Sequence, residues 1–181
     1  MCAVDKPKVF AALLATCLLA STATVSAACK YNVDTIHSRT GEKVLWTKWN
    51  TFTLVQKGDF AVGSGVSIGD RKYFALRFGG PGARTKAEVE SAFVIPEGGK
   101  VLIKLDDDSI LELLTDEPFI AEARPNSSEM VVRYRLDAGS LDALLTKRIL
   151  NIRIETNVGD VDFAYGKKGA KKMQKVLGCI E

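Results

Sequence analysis

Ser67 stands in "GVSIG", residues 65 to 69, with the spacing G-x-S-x-G that can present a serine nucleophile on a sharp strand-to-helix turn. A serine placed there needs a histidine to take its proton. The chain has one histidine, His37, and it precedes the serine. His37, Asp59 and Ser67 give the formal order His, Asp, Ser, but no G-D-S-G-G-like segment surrounds the serine. The residues that follow Ser67 alternate as a strand does. "GVSIG" is therefore expected to be a glycine-bearing strand entering a hairpin, and no catalytic residue is assigned.

Acidic residues offer two further chemistries. Asp106, Asp107 and Asp108 supply oxygen ligands of the kind calcium takes, without the spaced acids, central glycine and distal glutamate of a calcium loop. Consecutive acids at a hairpin tip read as solvated turn formers. Asp160 and Asp162, two apart, share one strand face, and such proximity can raise one pKa for general-acid work. Val161, Phe163 and Tyr165 occupy the opposite face, which leaves the two acids facing solvent. "GGPGAR", Gly79 to Arg84, can form an anion-holding nest, but no phosphate-binding helix follows it and a loop is expected. Two distant cysteines and one histidine do not show zinc-ligand spacing, so no metal or cofactor is expected.

The cysteines carry more. Residues 1–28 read as a secretory signal peptide: Lys6 and Lys8, then the apolar run Val9 to Ala20, then small residues ending "TVSAA". The run is about a dozen residues, short of the roughly 20 that span a bilayer. Cys2 and Cys17 would leave with this segment, and Cys29 and Cys179 would remain in an oxidising compartment. An even count there favours a disulfide that closes nearly the whole mature chain. A bacterial lipoprotein signal resembles the junction at Ala28–Cys29, although that pattern carries Leu where this chain has Ser26. The resemblance implies a lipid anchor on Cys29; the cysteine count favours the disulfide, and the anchor and a free thiol stay open on the sequence.

After residue 28, 23 basic and 21 acidic side chains remain, once Asp5, Lys6 and Lys8 are taken away. So even a balance argues against nucleic acid as the main partner. Residues 29–181 are one domain's worth of chain, with no repeat or linker, and no later segment is apolar enough to span a membrane.

Elements that would position these residues follow from alternation. "FAVGSGVSI" and "KYFALRF" form one expected hairpin about "GDR", with Phe60, Val62, Val66 and Ile68 on one face of its first strand. "VLIKL" and "ILELL" form a second about "DDDS". "MVVRYRL" places Met130, Val132, Tyr134 and Leu136 together, and "LNIRIET" places Leu150, Ile152 and Ile154 inside. Earlier strands are expected at Lys30 to Ile36 and Val44 to Val55. Ser140 can cap a short helix over "LDALL". Lys167 to Leu177 carries Ala170, Met173, Val176 and Leu177 at helical spacing, with Gly178 placed to end it. The expected fold is all-β: one antiparallel β-sandwich or small barrel of about nine to ten short strands, one short internal helix and a C-terminal amphipathic helix.

With no convincing catalytic set, the pattern points to a non-catalytic binding module, exported to the periplasm or cell envelope, whose partner is a protein or an envelope component. Trp46 and Trp49 are candidate contact residues, because an offset of three turns them to opposite faces of one strand and exposes one of them. Lys167, Lys168, Lys171 and Lys172, with Lys175, form the one concentration of charge; it reads as a solvated helix face more readily than as a membrane-binding one. One alternative is a small-molecule carrier similar to lipocalins, which share the size, the export signal and a helix after the strands. Their early G-x-W motif is missing here, since Trp46 follows Val44 and Leu45. A second alternative is a small hydrolase built on Ser67 or the paired acids.

Overall fold

The computed structural model describes residues 29–51, 60–81, 94–124, 127–157 and 159–181. The signal segment 1–28, Asp59, and Gly82 to Arg84 of the glycine-rich stretch lie outside them. The described strands, in chain order, are β1 (Tyr31–Ile36), β2 (Lys43–Thr47), β3 (Asn50–Thr51), β4 (Phe60–Ile68), β5 (Arg71–Pro81), β6 (Val94–Ile95), β7 (Lys100–Leu105), β8 (Ile110–Leu114), β9 (Phe119–Ile120), β10 (Glu122–Arg124), β11 (Ser127–Leu136), β12 (Ile149–Thr156) and β13 (Gly159–Ala164). Helix α1 spans Ala138–Thr146 and helix α2 spans Lys167–Leu177. The chain is mostly β. Nine strands have five residues or more; the surplus over the expected nine or ten consists of segments of two or three residues, too short for alternation to register.

All described pairings are antiparallel. One sheet runs β1-β2-β4-β5-β11-β10, with β3 also on β4; a second runs β13-β12-β7-β8; β6 and β9 make a separate ribbon. The described strands form open sheets and no closed barrel, which corrects the barrel alternative. The space a barrel would keep hollow is filled: Phe74, Leu76, Met130, Val132 and Tyr134 from the first sheet and Val101, Ile103, Ile152 and Ile154 from the second belong to one buried cluster. The two expected hairpins are β4–β5 and β7–β8.

Three local expectations need correction. The register of β12 shifts between Ile149 and Asn151, so Ile149 is buried where Leu150 was expected and Leu150 is half-buried. The face Phe60, Val62, Val66, Ile68 is not the main core face. Val66 and Ile68 join Tyr73, Ala75, Trp46 and Trp49 in a second, smaller cluster, while Ala61 of β4 faces the large one. Helix α1 is capped by Asp137, not Ser140: the Asp137 carboxylate accepts from the Ser140 amide at 2.6 Å. Ser140 is one turn inside the helix and buried.

Helix α2 buries Ala170, Met173 and Leu177 against the core and keeps its five lysines exposed. Gly178 follows without a left-handed twist (φ −61°, ψ −12°). The helix ends by tightening instead, with the amides of Cys179 and Ile180 donating to Val176 O and Leu177 O. This turn swings Ile180 back into the core at 1% exposure. Its partner is Gly65. A Cβ on that residue would lie 3.1 Å from Ile180 Cδ1 and 3.2 Å from the Val176 carbonyl oxygen. The glycine of "GVSIG" therefore serves close approach of the C-terminal segment.

Two outcomes follow for stability in urea. Gly65→Val overpacks this contact and is expected to cost about 1–3 kcal/mol. Asp137→Ala is expected to cost about 1 kcal/mol or less, since the cap is exposed to water. The Asp137 carboxyl is held below its ordinary value by the Ser140 amide. A depressed folded pKa stabilises above the unfolded value near 3.8 and loses that effect as pH falls further, so wild type and Asp137→Ala should converge in acid.

Candidate functional site: a lysine-lined groove at the closed ends of the chain

Cys29 and Cys179 lie at disulfide distance, Sγ to Sγ 2.07 Å and Cα to Cα 5.7 Å, across 150 residues of sequence. Two polar contacts reinforce the closure. The Tyr31 hydroxyl donates to the Cys179 carbonyl at 2.9 Å, and the Lys48 amide donates to the Lys30 carbonyl at 3.0 Å. The segment entering β1, the β2–β3 connection and the end of α2 are thereby drawn to one place.

A groove of about 400 Å³ opens there, lined by the disulfide, Trp49, Asn50 and the lysines Lys30, Lys48, Lys172 and Lys175. Among the described residues no acidic side chain lines it. All four lysines are exposed, and none has an ion-pair partner among the described residues. Several other surface lysines are matched: Lys104 pairs with Asp108 at 2.9 Å, Lys147 with Asp107 at 2.7 Å, and Lys43 with Asp34. Lys167, Lys168 and Lys171 of α2 share with the groove lysines the lack of an ion-pair partner among the described residues. Four like charges around one concavity attract an anion, with a strength that salt would screen.

The wall under the groove is rigid. Thr47 and Ser64 hydroxyls lie 3.0 Å apart; Ser64 Oγ donates to the Thr47 carbonyl at 2.9 Å, and the Gly65 amide donates to Thr47 Oγ1 at 2.9 Å. Both side chains are buried, so this small network fixes β2 against β4 beside the groove.

Trp49 also lines a second groove of about 380 Å³ with Trp46, Asn32, Val33, Arg77, Glu129 and Val131. Arg77 Nε donates to Glu129 Oε2 at 3.0 Å. The expectation that Trp46 and Trp49 face opposite sides of a strand is corrected. Their rings meet edge to face, centroids 5.5 Å apart, because the strand breaks after Thr47 and Trp49 sits on the connection to β3. Trp46 is fixed by packing, with Nε1 buried and unpartnered, whereas Trp49 reaches both grooves.

Of the residues singled out from sequence, the fold brings together Cys29, Cys179, Trp49 and Lys172, with Trp46 behind them. Lys167, Lys168 and Lys171 stay exposed on α2 outside the groove lining. Sequence reasoning missed Lys30 and Lys48, two isolated basic residues in the chain. The signal was present in the disulfide itself: joining Cys29 to Cys179 places Lys30 beside the last turn of α2.

The alternative chemistries have other partners. Ser67 Oγ donates to the Gly69 carbonyl at 3.1 Å, and the His37 ring engages Thr40, with Oγ1 3.1 Å from Nδ1. Asp106 and Asp107 turn to Arg148 and Lys147, and Lys147 and Ser109 together hold the Asp107 carboxyl well below the carboxylate range. The carboxylate of Asp162 is gripped at both oxygens by Arg153, 2.9 Å each, with Asp160 3.8 Å from the same guanidinium. Among the described residues no group of three or more metal-ligating side chains converges, and no helix is long and apolar enough to cross a membrane.

Removing the closure by Cys29→Ser with Cys179→Ser should lower stability by up to roughly 5 kcal/mol in the loop-entropy model. Urea unfolding of the two forms checks it: the variant should show a lower midpoint and a steeper slope, because its unfolded chain is no longer held compact by the cross-link.

No protein-family model, curated protein or solved structure matches this chain, so what the site can do is argued from its geometry.

Proposed function

We infer that this chain is an exported, non-catalytic binding module with its sheets stacked as a two-layer sandwich, and that it engages an anionic component of the cell envelope through the lysine-lined groove. One observation carries the reading: a concavity with four lysines, an aromatic wall and no acid among the described residues, in a chain whose overall charge is only +3. Cations that serve only solubility are interspersed with acids, as Lys43, Lys104 and Lys147 are. In the groove they are concentrated, with no ion-pair partner among the described residues.

Export is supported by the signal-like first 28 residues together with the cysteine pair. Binding is favoured over carriage because the interior between the sheets is occupied by Tyr134, Phe74, Ile103 and Ile152, all at 0% exposure. A non-catalytic role is favoured because Ser67 is buried at 5% exposure with its hydroxyl donating to the Gly69 carbonyl, Lys72 Nζ comes no nearer than 3.4 Å to that hydroxyl and approaches it as a donor, and Arg153 holds both oxygens of Asp162.

Inorganic polyphosphate is a suitable general probe. Lys172→Glu with Lys175→Glu should weaken its binding by about tenfold, on the scale of two exposed charge contacts reversed. Lys167→Glu with Lys171→Glu changes the net charge equally, off the groove, and should weaken it much less. Equal losses from the two pairs would show that net charge, not the groove, does the binding.

A further inference from the structure

Two grooves of nearly equal size, about 400 and 380 Å³, share Trp49 and differ in chemistry. The first is cationic. The second offers the Trp49 indole backed edge to face by Trp46, whose own N–H is buried, with the Asn32 amide and the guanidinium of Arg77 beside the carboxylate of Glu129. An indole presents a flat apolar face edged by a polar N–H, which suits ligands that are apolar on one face and hydroxylated at the rim. A pyranose ring is such a ligand. Arg77 and Glu129 set a donor and an acceptor side by side, the pattern that neighbouring sugar hydroxyls match. Arg77 is the more exposed of the two, at 38%, and Glu129 the better fixed, at 11%.

We propose that the two grooves together bind a uronate-bearing glycan chain, with one sugar ring against Trp49, its neighbours' hydroxyls toward Arg77, Glu129 and Asn32, and a carboxylate among Lys30, Lys48, Lys172 and Lys175. The inference rests on the anion-binding reading above and adds the chemical class of the anion. Charge complementarity selects an acidic chain over a neutral one, and the aromatic wall selects a sugar over a bare phosphate. An anionic membrane surface fits less well. The apolar residues of α2 that would have to enter lipid, Ala170, Met173 and Leu177, are buried in the core at 1%, 0% and 0% exposure. A lipid surface would also have to reach lysines that line a concavity.

The chain contains two tryptophans, both at this site, so its intrinsic emission reports on binding. The experiment titrates the protein in parallel with trigalacturonate, a neutral cello-oligosaccharide, inorganic polyphosphate and phosphatidylglycerol vesicles. Trp46→Phe leaves Trp49 as the sole indole. In that variant trigalacturonate should shift the emission saturably, while the neutral oligosaccharide binds about tenfold more weakly or not at all. Trp49→Ala should reduce trigalacturonate affinity by about tenfold, the scale of one aromatic contact, and leave polyphosphate affinity within about threefold. Trp49→Tyr, which keeps a flat ring, should recover most of the loss and guards against misfolding of the alanine form. Binding of polyphosphate or vesicles without trigalacturonate would overturn the glycan assignment and leave the anion groove standing. Binding of none of the anions would overturn both.

Discussion

Leu177 and Ile180 flank Cys179 in the chain, and both are buried in the core, so the cysteine is delivered to its partner by packing on either side. Ile180 packs at that depth directly against Gly65, where a Cβ would lie 3.1 Å from its Cδ1 and crowd the contact. From this seating the rest of the site follows. Helix α2 is held on β4, the sulfur of Cys179 meets that of Cys29, and the start of β1 comes to the end of α2. Lys30 and Lys48 then stand across a groove from Lys172 and Lys175. The hydrophobic contact aims the covalent one; the disulfide in turn restricts the unfolded chain, which is where most of its stabilising effect is expected to arise.

Global charge is a poor guide to this surface. A formal +3 over 181 residues argues against a polyanion partner if the charges are evenly mixed. They are not. Arg71, Arg77, Arg133 and Arg153 are matched by Glu42, Glu129, Glu117 and Asp162, while the lysines of the groove have no ion-pair partner among the described residues. Segregation of sign at nearly constant net charge gives a local field without the self-repulsion of a highly basic chain.

Much of the fold was legible because period-2 alternation survives wherever a strand has one wet and one dry face, as in β7 and β11. The helix at Lys167–Leu177 was legible from four apolar residues at helical spacing. What failed did so for physical reasons. The bulge in β12 moved Ile149 into the place expected for Leu150, and a bulge leaves no mark on composition. Asp137 and Ser140 are both good caps, and which of them sits before the first turn is decided by where β11 ends. Of the site, the disulfide and Trp49 were visible as residue types. The groove was not, because its four lysines come from three separate stretches of chain brought together only by the closure.

The claim on which the account stands is that Cys29 and Cys179 are covalently joined across 150 residues of sequence. Peptide mapping of native protein, alkylated without reduction and digested, tests it most directly. The predicted result is one cross-linked peptide pair containing both residues, separated only after reduction. Cys29 and Cys179 each recovered alkylated in unreduced material would contradict it.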